Sequence, residues 1–177
     1  MKTATLPKQL DLRGLAARGA SVSGTVAPGE LPRLDEAGIA LAGPAAASFS
    51  LRRDENSRSV VLAEVEATLT MQCQRCLGEV SVALTTSSTM ACVWTDDEAA
   101  ALPACYEPLL VSDEAVLRDI VEEELLLALP SFPTHEAECK TNEQVAALEP
   151  LNASYDEVTE VRAQRDNPFD VLEQLKN

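Results

Sequence analysis

The 177-residue chain is 46% hydrophobic but only 3% aromatic, so it can bury a core of domain size, and that core is aliphatic, with few rings for stacking nucleic-acid bases. Its formal net charge of −15 is unevenly placed: residues 1–94 carry nine acidic and nine basic side chains, and residues 95–177 carry twenty and five. The second half therefore repels phosphate and is excluded as a face for counterion-driven nucleic-acid binding.

The N-terminus, Met1 to Pro7, lacks the apolar core of a secretory signal. No later run approaches the ~18 apolar residues of a membrane span. Residues 6–20 are broken by Pro7 and Gly14, although Leu10, Leu12 and Leu15 can dock on a core. Val22 and Val26 mark a short strand over 21–27, and 31–39 reads as a helical turn. Gly43-Pro44 is a break. A strand follows over 46–53, with Phe49 and Leu51 on one face.

Residues 60–72 are the clearest element. Val61, Ala63, Val65, Ala67, Leu69 and Met71 alternate with Glu64, Glu66, Thr68, Thr70 and Gln72, the period of a strand with one face on a core and one in water. Cys73-Gln74-Arg75-Cys76-Leu77-Gly78 comes next, with Gly78 available for a positive φ. Alternation resumes through Val80, Val82 and Leu84, crosses a Thr/Ser-rich bridge, and continues at Met90, Cys92 and Trp94. This predicts a long antiparallel hairpin with the two cysteines at its tip.

A short helix over 96–102 stops at Pro103, and Pro108 makes 106–111 an edge strand. The main helix is expected over about 112–129, capped by Ser112 or Asp113. Val116, Ile120 and Leu127 share one face, Leu117, Val121 and Leu125 lie beside them, and Glu122-Glu123-Glu124 forms the wet side. One more helical segment is expected over 141–148. The expected fold class is α+β: an antiparallel sheet with a long hairpin, backed by that one main helix and short helices. Residues 1–150 form the single α+β domain. Residues 151–177 are a mobile acidic segment ending in a short amphipathic helix, where Asn167 caps, Pro168 opens the first turn, and Phe169, Leu172 and Leu175 share a side.

Cys73 and Cys76 are two residues apart, which lets both sulfurs point into one tetrahedral site. The single histidine, His135, lies four residues before Cys139. Cys73, Cys76, His135 and Cys139 would make a Cys3His set, a closed structural zinc type with no open position for water. The alternatives are that the thiols are small buried residues with His135 a surface loop residue, or that Cys73 and Cys76 serve a thiol-dependent redox or hydrolytic enzyme. A redox dithiol usually opens a helix that lowers its pKa, whereas this pair sits between strands. Cys92 and Cys105 read as packing residues. Five cysteines, an odd number, with no secretory signal ahead of them, fit a cytoplasmic protein with reduced thiols. No nucleophile elbow and no phosphate-cradling glycine loop is present. Any RNA contact falls to Arg52, Arg53, Arg58 and Arg75 in the neutral half.

In order and spacing from about residue 60 onward, these motifs resemble the YceD family, the large ribosomal RNA subunit accumulation proteins. The resemblance runs through Cys73-Gln74-Arg75-Cys76, Ala101-Leu102-Pro103-Ala104-Cys105-Tyr106-Glu107-Pro108, the run from Asp119 to Pro130, the His135…Cys139 pair and Asn167-Pro168-Phe169. Residues 1–50 are similar only loosely. The resemblance implies a bacterial cytoplasmic ribosome-biogenesis factor, not an enzyme, that promotes synthesis, processing or stability of large-subunit (23S) ribosomal RNA. Its partners would be that RNA or a pre-ribosomal particle, and a basic ribosomal protein for the acidic half, with no membrane. In many relatives two cysteines match His135 and Cys139, which favours structural Zn2+ at this set.

Overall fold

The computed structural model describes residues 4–112 and 114–140. The chain divides into two units, Met1–Glu138 and Cys139–Asn177, and every element below belongs to the first. The helices expected over 141–148 and near the C-terminus, and the mobility expected of 151–177, lie outside the described residues.

The elements run β1 (Gln9–Leu10), α1 (Leu12–Ala17), β2 (Ser21–Val26), α2 (Pro32–Glu36), β3 (Ala40–Leu41), β4 (Ala45–Arg53), β5 (Ser59–Gln72), β6 (Glu79–Val93), α3 (Asp96–Ala100), β7 (Glu107–Leu110), β8 (Ala115–Val116) and α4 (Leu117–Leu127). The main sheet has the order β2-β4-β5-β6-β7, with β3 pairing the far end of β5, and β1 pairs β8 separately. All pairs are antiparallel except β6–β7. This is the expected α+β architecture with its long hairpin.

The alternation in β5 works as read. Val61, Ala63, Val65 and Leu69 are fully buried, while Glu64, Glu66 and Thr68 are exposed on the opposite face. Opposite Glu64, β4 places Ser48, whose hydroxyl donates to its carboxylate at 3.0 Å. The Thr/Ser-rich bridge is the middle of β6, unbroken, because alternate Thr and Ser side chains face water across from Glu64 and Glu66. Beta-branched residues hold a strand there without needing apolar burial.

One glycine is demanded by close approach. A Cβ on Gly24 would lie 2.7 Å from the backbone of Leu6 and 2.9 Å from the Ala4 carbonyl. Residues 4–6 run beside β2 there, with Leu6 N–H on the Thr25 carbonyl at 2.9 Å and Thr25 N–H on the Ala4 carbonyl at 3.0 Å. That delivers Leu6, 2% exposed, to the core.

The main helix differs from expectation. It starts at Leu117, with Val116 at the N-cap and no side-chain cap. Residues 115–116 are already committed to pairing with β1, so Ser112 cannot begin a helix. Leu117, Val121 and Leu125 are fully buried, an i, i+4, i+8 spine that centres the core face. Leu127, assigned to the apolar face, is 72% exposed. The wet side is wet only at Glu123: Glu122 and Glu124 are 3% and 7% exposed.

Each buried carboxylate has a partner. Glu122 Oε1 accepts from the backbone N–H of Arg33 at 2.6 Å and of Leu34 at 3.1 Å. These are orphan donors in the first turn of α2, whose own N-cap residue, Leu31, supplies no side-chain bond. A carboxylate from another helix thus caps α2, favoured by the charge at a helix N-terminus. Glu124 Oε1 accepts from Ser88 Oγ at 2.6 Å, tying α4 to the core side of β6. Glu123 pairs with Arg33 across the surface at 2.9 Å.

Two smaller readings also change. Cys105, expected to pack, is exposed, whereas Cys92 is buried as expected. Trp94 closes the alternating pattern of β6 but is 41% exposed. The Arg13 guanidinium lies 4.3 Å from its ring centroid, a cation–π contact.

Candidate metal centre

The β5–β6 connection is a knuckle closed by its own backbone. Cys73 N–H donates to the Gly78 carbonyl at 2.8 Å, and Leu77 N–H to the Cys73 carbonyl at 2.9 Å. The turn needs one residue in the left-handed region. That residue is Leu77, with φ +63°, not Gly78. A Cβ at Gly78 would meet Cys76 Sγ at 3.5 Å, an ordinary contact. Leu77 is 65% exposed.

The knuckle aims backbone donors at sulfur. Arg75 N–H lies 3.4 Å from Cys73 Sγ. Cys73 is wholly buried, and burial alone pushes a thiol's pKa up. Backbone N–H groups of Cys76, Arg75 and His135, with the Cys76 side chain, outweigh that and bring Cys73 down to about 5. Those donors favour the thiolate of Cys73, the form that binds metal.

The segment after α4 returns to this tip. Gln74 N–H donates to the Pro133 carbonyl at 2.8 Å, and Arg75 Nη1 to the Ala137 carbonyl at 3.2 Å. His135 Nε2 lies 2.8 Å from the Glu79 carbonyl. A carbonyl only accepts, so Nε2 carries a hydrogen, and in the neutral ring that leaves the lone pair on Nδ1. That Nδ1 sits 3.6 Å from Cys76 Sγ. An imidazole whose far nitrogen is anchored on a carbonyl is oriented in the manner of a metal ligand.

One ligand atom from each of Cys73, Cys76, His135 and Cys139 lies within 4.8 Å of all the others. Sulfurs about 2.3 Å from a common tetrahedral centre stand roughly 3.8 Å apart, so the set needs only a small contraction to close on one ion. The residues fit a metal. The four positions expected from spacing converge, and no disulfide joins any of the cysteines.

The four arginines do not converge. Arg52, Arg53 and Arg58 flank the β4–β5 turn, where Arg58 is engaged by Asp54 at 3.3 Å. Arg75 lies beyond the other end of β5, fourteen residues long, which at about 3.3 Å per residue separates them by roughly 45 Å.

The profile described as "Large ribosomal RNA subunit accumulation protein YceD" matches residues 61–176. A protein of Haemophilus influenzae (strain ATCC 51907 / DSM 11121 / KW20 / Rd) that bears the same description is 32% identical over 181 residues, covering 99% of both chains. The chain belongs to the YceD family. The YceD match begins inside β5 and takes in the knuckle, α4 and the whole Cys/His set. The full-length relative extends the likeness to the N-terminal strands, where the motifs alone show little. No solved structure matches the chain. Among the described residues, no helix is long and apolar enough to cross a membrane.

Sequence reasoning missed Glu122 and Glu124. A run of three glutamates looks like a solvated face. The only local signal was that three consecutive helical positions span about 200° of arc, so the three do not share a single face.

Proposed function

We propose that this protein is a non-enzymatic ribosome-biogenesis factor that acts on synthesis, processing or stability of large-subunit 23S ribosomal RNA in the cytoplasm. The observation that carries this reading is family membership over nearly the whole chain, with the full-length relative described as a large ribosomal RNA subunit accumulation protein. Its partners would be that RNA or a pre-ribosomal particle, together with a basic ribosomal protein drawn to the acidic half. The arginines are split between two ends of the hairpin and the net charge is −15, which favours a protein-mediated over a direct, extended RNA contact.

Cys73, Cys76, His135 and Cys139 would hold Zn2+ as a structural clasp. Four protein ligands leave no open coordination position, so the ion supplies folding energy and no Lewis-acid site for a substrate. A thiol-dependent redox or hydrolytic enzyme is the alternative. Against it stand the full burial of Cys73 and the placement of the pair between two strands.

Depletion of the protein in its host, followed by quantification of 23S relative to 16S ribosomal RNA, tests the reading. A selective fall in 23S is expected, restored by the parent chain. An unchanged ratio, with large-subunit particles intact on sucrose gradients, would refute it.

A further inference from the structure

We infer that the groove between edge strand β7 and helix α4 docks a lysine- and arginine-rich amphipathic protein segment. The groove encloses about 640 Å3. Its apolar lining includes Met90, Leu109 and Ile120, and Leu110 and Leu127 stand in it 58% and 72% exposed. These are two of only five large hydrophobics so exposed among the described residues, and both line one concavity. Neither is spent on the core: α4 turns its 117/121/125 spine inward and leaves Leu127 out, and β7 is the last strand of its sheet.

Charge selects the occupant. Glu107, Glu114, Asp119, Glu123 and Glu124 line the groove, and among the described residues no lysine, arginine or histidine does. Glu123 shares its carboxylate with Arg33, and Glu124 accepts from Ser88. Glu107, Glu114 and Asp119 have no ion-pair partner among the described residues. An apolar floor with a carboxylate rim repels RNA phosphate and anionic lipid alike. It also disfavours the chain's own residues 141–177, which carry eight acidic against three basic side chains. A segment with apolar residues on one side and cations on the other satisfies both floor and rim. The inference rests on the proposed function only for the origin of the partner, a basic ribosomal protein; the groove's chemistry stands without it.

The test uses the full chain and a fluorescein-labelled Leu/Lys peptide with apolar residues at helical spacing, followed by anisotropy at several salt concentrations. The parent is expected to bind it and to ignore a Leu/Glu peptide of the same apolar pattern. Leu110→Ser with Leu127→Ser, and separately Glu107→Lys with Asp119→Lys, are expected to weaken binding about tenfold or more. Glu64→Lys with Glu66→Lys, on the open face of the sheet, serves as the charge control and is expected to change affinity less than twofold. Equal weakening by both charge pairs would reduce the effect to bulk charge and overturn the inference. So would unchanged binding by the leucine variant. A photocrosslinking residue at position 127, activated in cells, is expected to capture basic ribosomal proteins. Crosslinks confined to RNA, or to residues 141–177 of the same chain, overturn it. The peptide arm fails or succeeds without regard to 23S levels in depleted cells, so the two readings fail separately.

Discussion

Replacing Glu122 tests whether a carboxylate misread as solvated holds two elements together. Its Oε1 satisfies two backbone donors, Arg33 N–H and Leu34 N–H, at 2.6 and 3.1 Å, from a side chain 3% exposed. Glu122→Ala removes the cap of α2, worth about 1 kcal/mol. It also leaves a buried donor at Leu34 and a partly buried one at Arg33, at about 1–3 kcal/mol for an unsatisfied buried group. The sum is about 2–4 kcal/mol. Glu122→Gln keeps a side-chain oxygen in reach and loses only the charge assistance, about 1 kcal/mol. Urea unfolding followed by far-UV circular dichroism, with slopes compared to exclude a change in the denatured state, measures both. An Ala variant within about 0.5 kcal/mol of the parent, or a Gln variant as damaged as Ala, would refute the capping argument.

Zinc measured on protein purified without added metal is expected near one ion per chain, lost in Cys73→Ser and His135→Ala. If the site is filled at a hundredfold excess over its dissociation constant, the ion adds about 2.7 kcal/mol. Chelation should then lower the thermal midpoint by roughly 5–10 °C; no shift on full metal removal would argue against a clasp. Leu77→Gly relieves a positive φ of +63° at a side chain that is mostly exposed, and should stabilise by up to ~1 kcal/mol after the added chain entropy of glycine; a loss of stability would mean that Leu77 makes a contact that matters. Iodoacetamide at pH 8 should label exposed Cys105 quickly and buried Cys92 slowly, read by peptide mass spectrometry. Burial raises Cys92 from 9.0 to about 11, so the stability it confers is complete below pH 9 and lost as pH rises through 11; Cys92→Ala should flatten the alkaline decline across that window, and an unaltered slope would refute the assignment.

Much of the fold follows from local pattern. A period of two with one apolar face admits only a half-buried strand, so the β5–β6 hairpin and its tip were legible from residues 60–94. The Cys/His set was legible for another reason: zinc chemistry restricts both the ligand types and their short-range spacing, and His135 and Cys139 repeat the logic of Cys73 and Cys76. The start of α4 was not legible, because residues 115–116 pair with β1, a partner more than a hundred residues away in the chain. Nor was the rotation of α4. A helix with apolar residues on several faces takes the orientation that its neighbours permit, and here α2 presents two orphan N–H groups and β6 presents Ser88. Those donors lie 88 and 36 residues from the carboxylates they engage, and no local periodicity encodes such a distance. The sequence by itself determined which chemistry the chain carries: an aliphatic core, a neutral half and an acidic half, and four soft ligands in two pairs. Only the tertiary structure decided which charges are spent inside and which stay at the surface. Burial and pairing of a side chain depend on what the rest of the chain brings alongside it, and that juxtaposition is long-range.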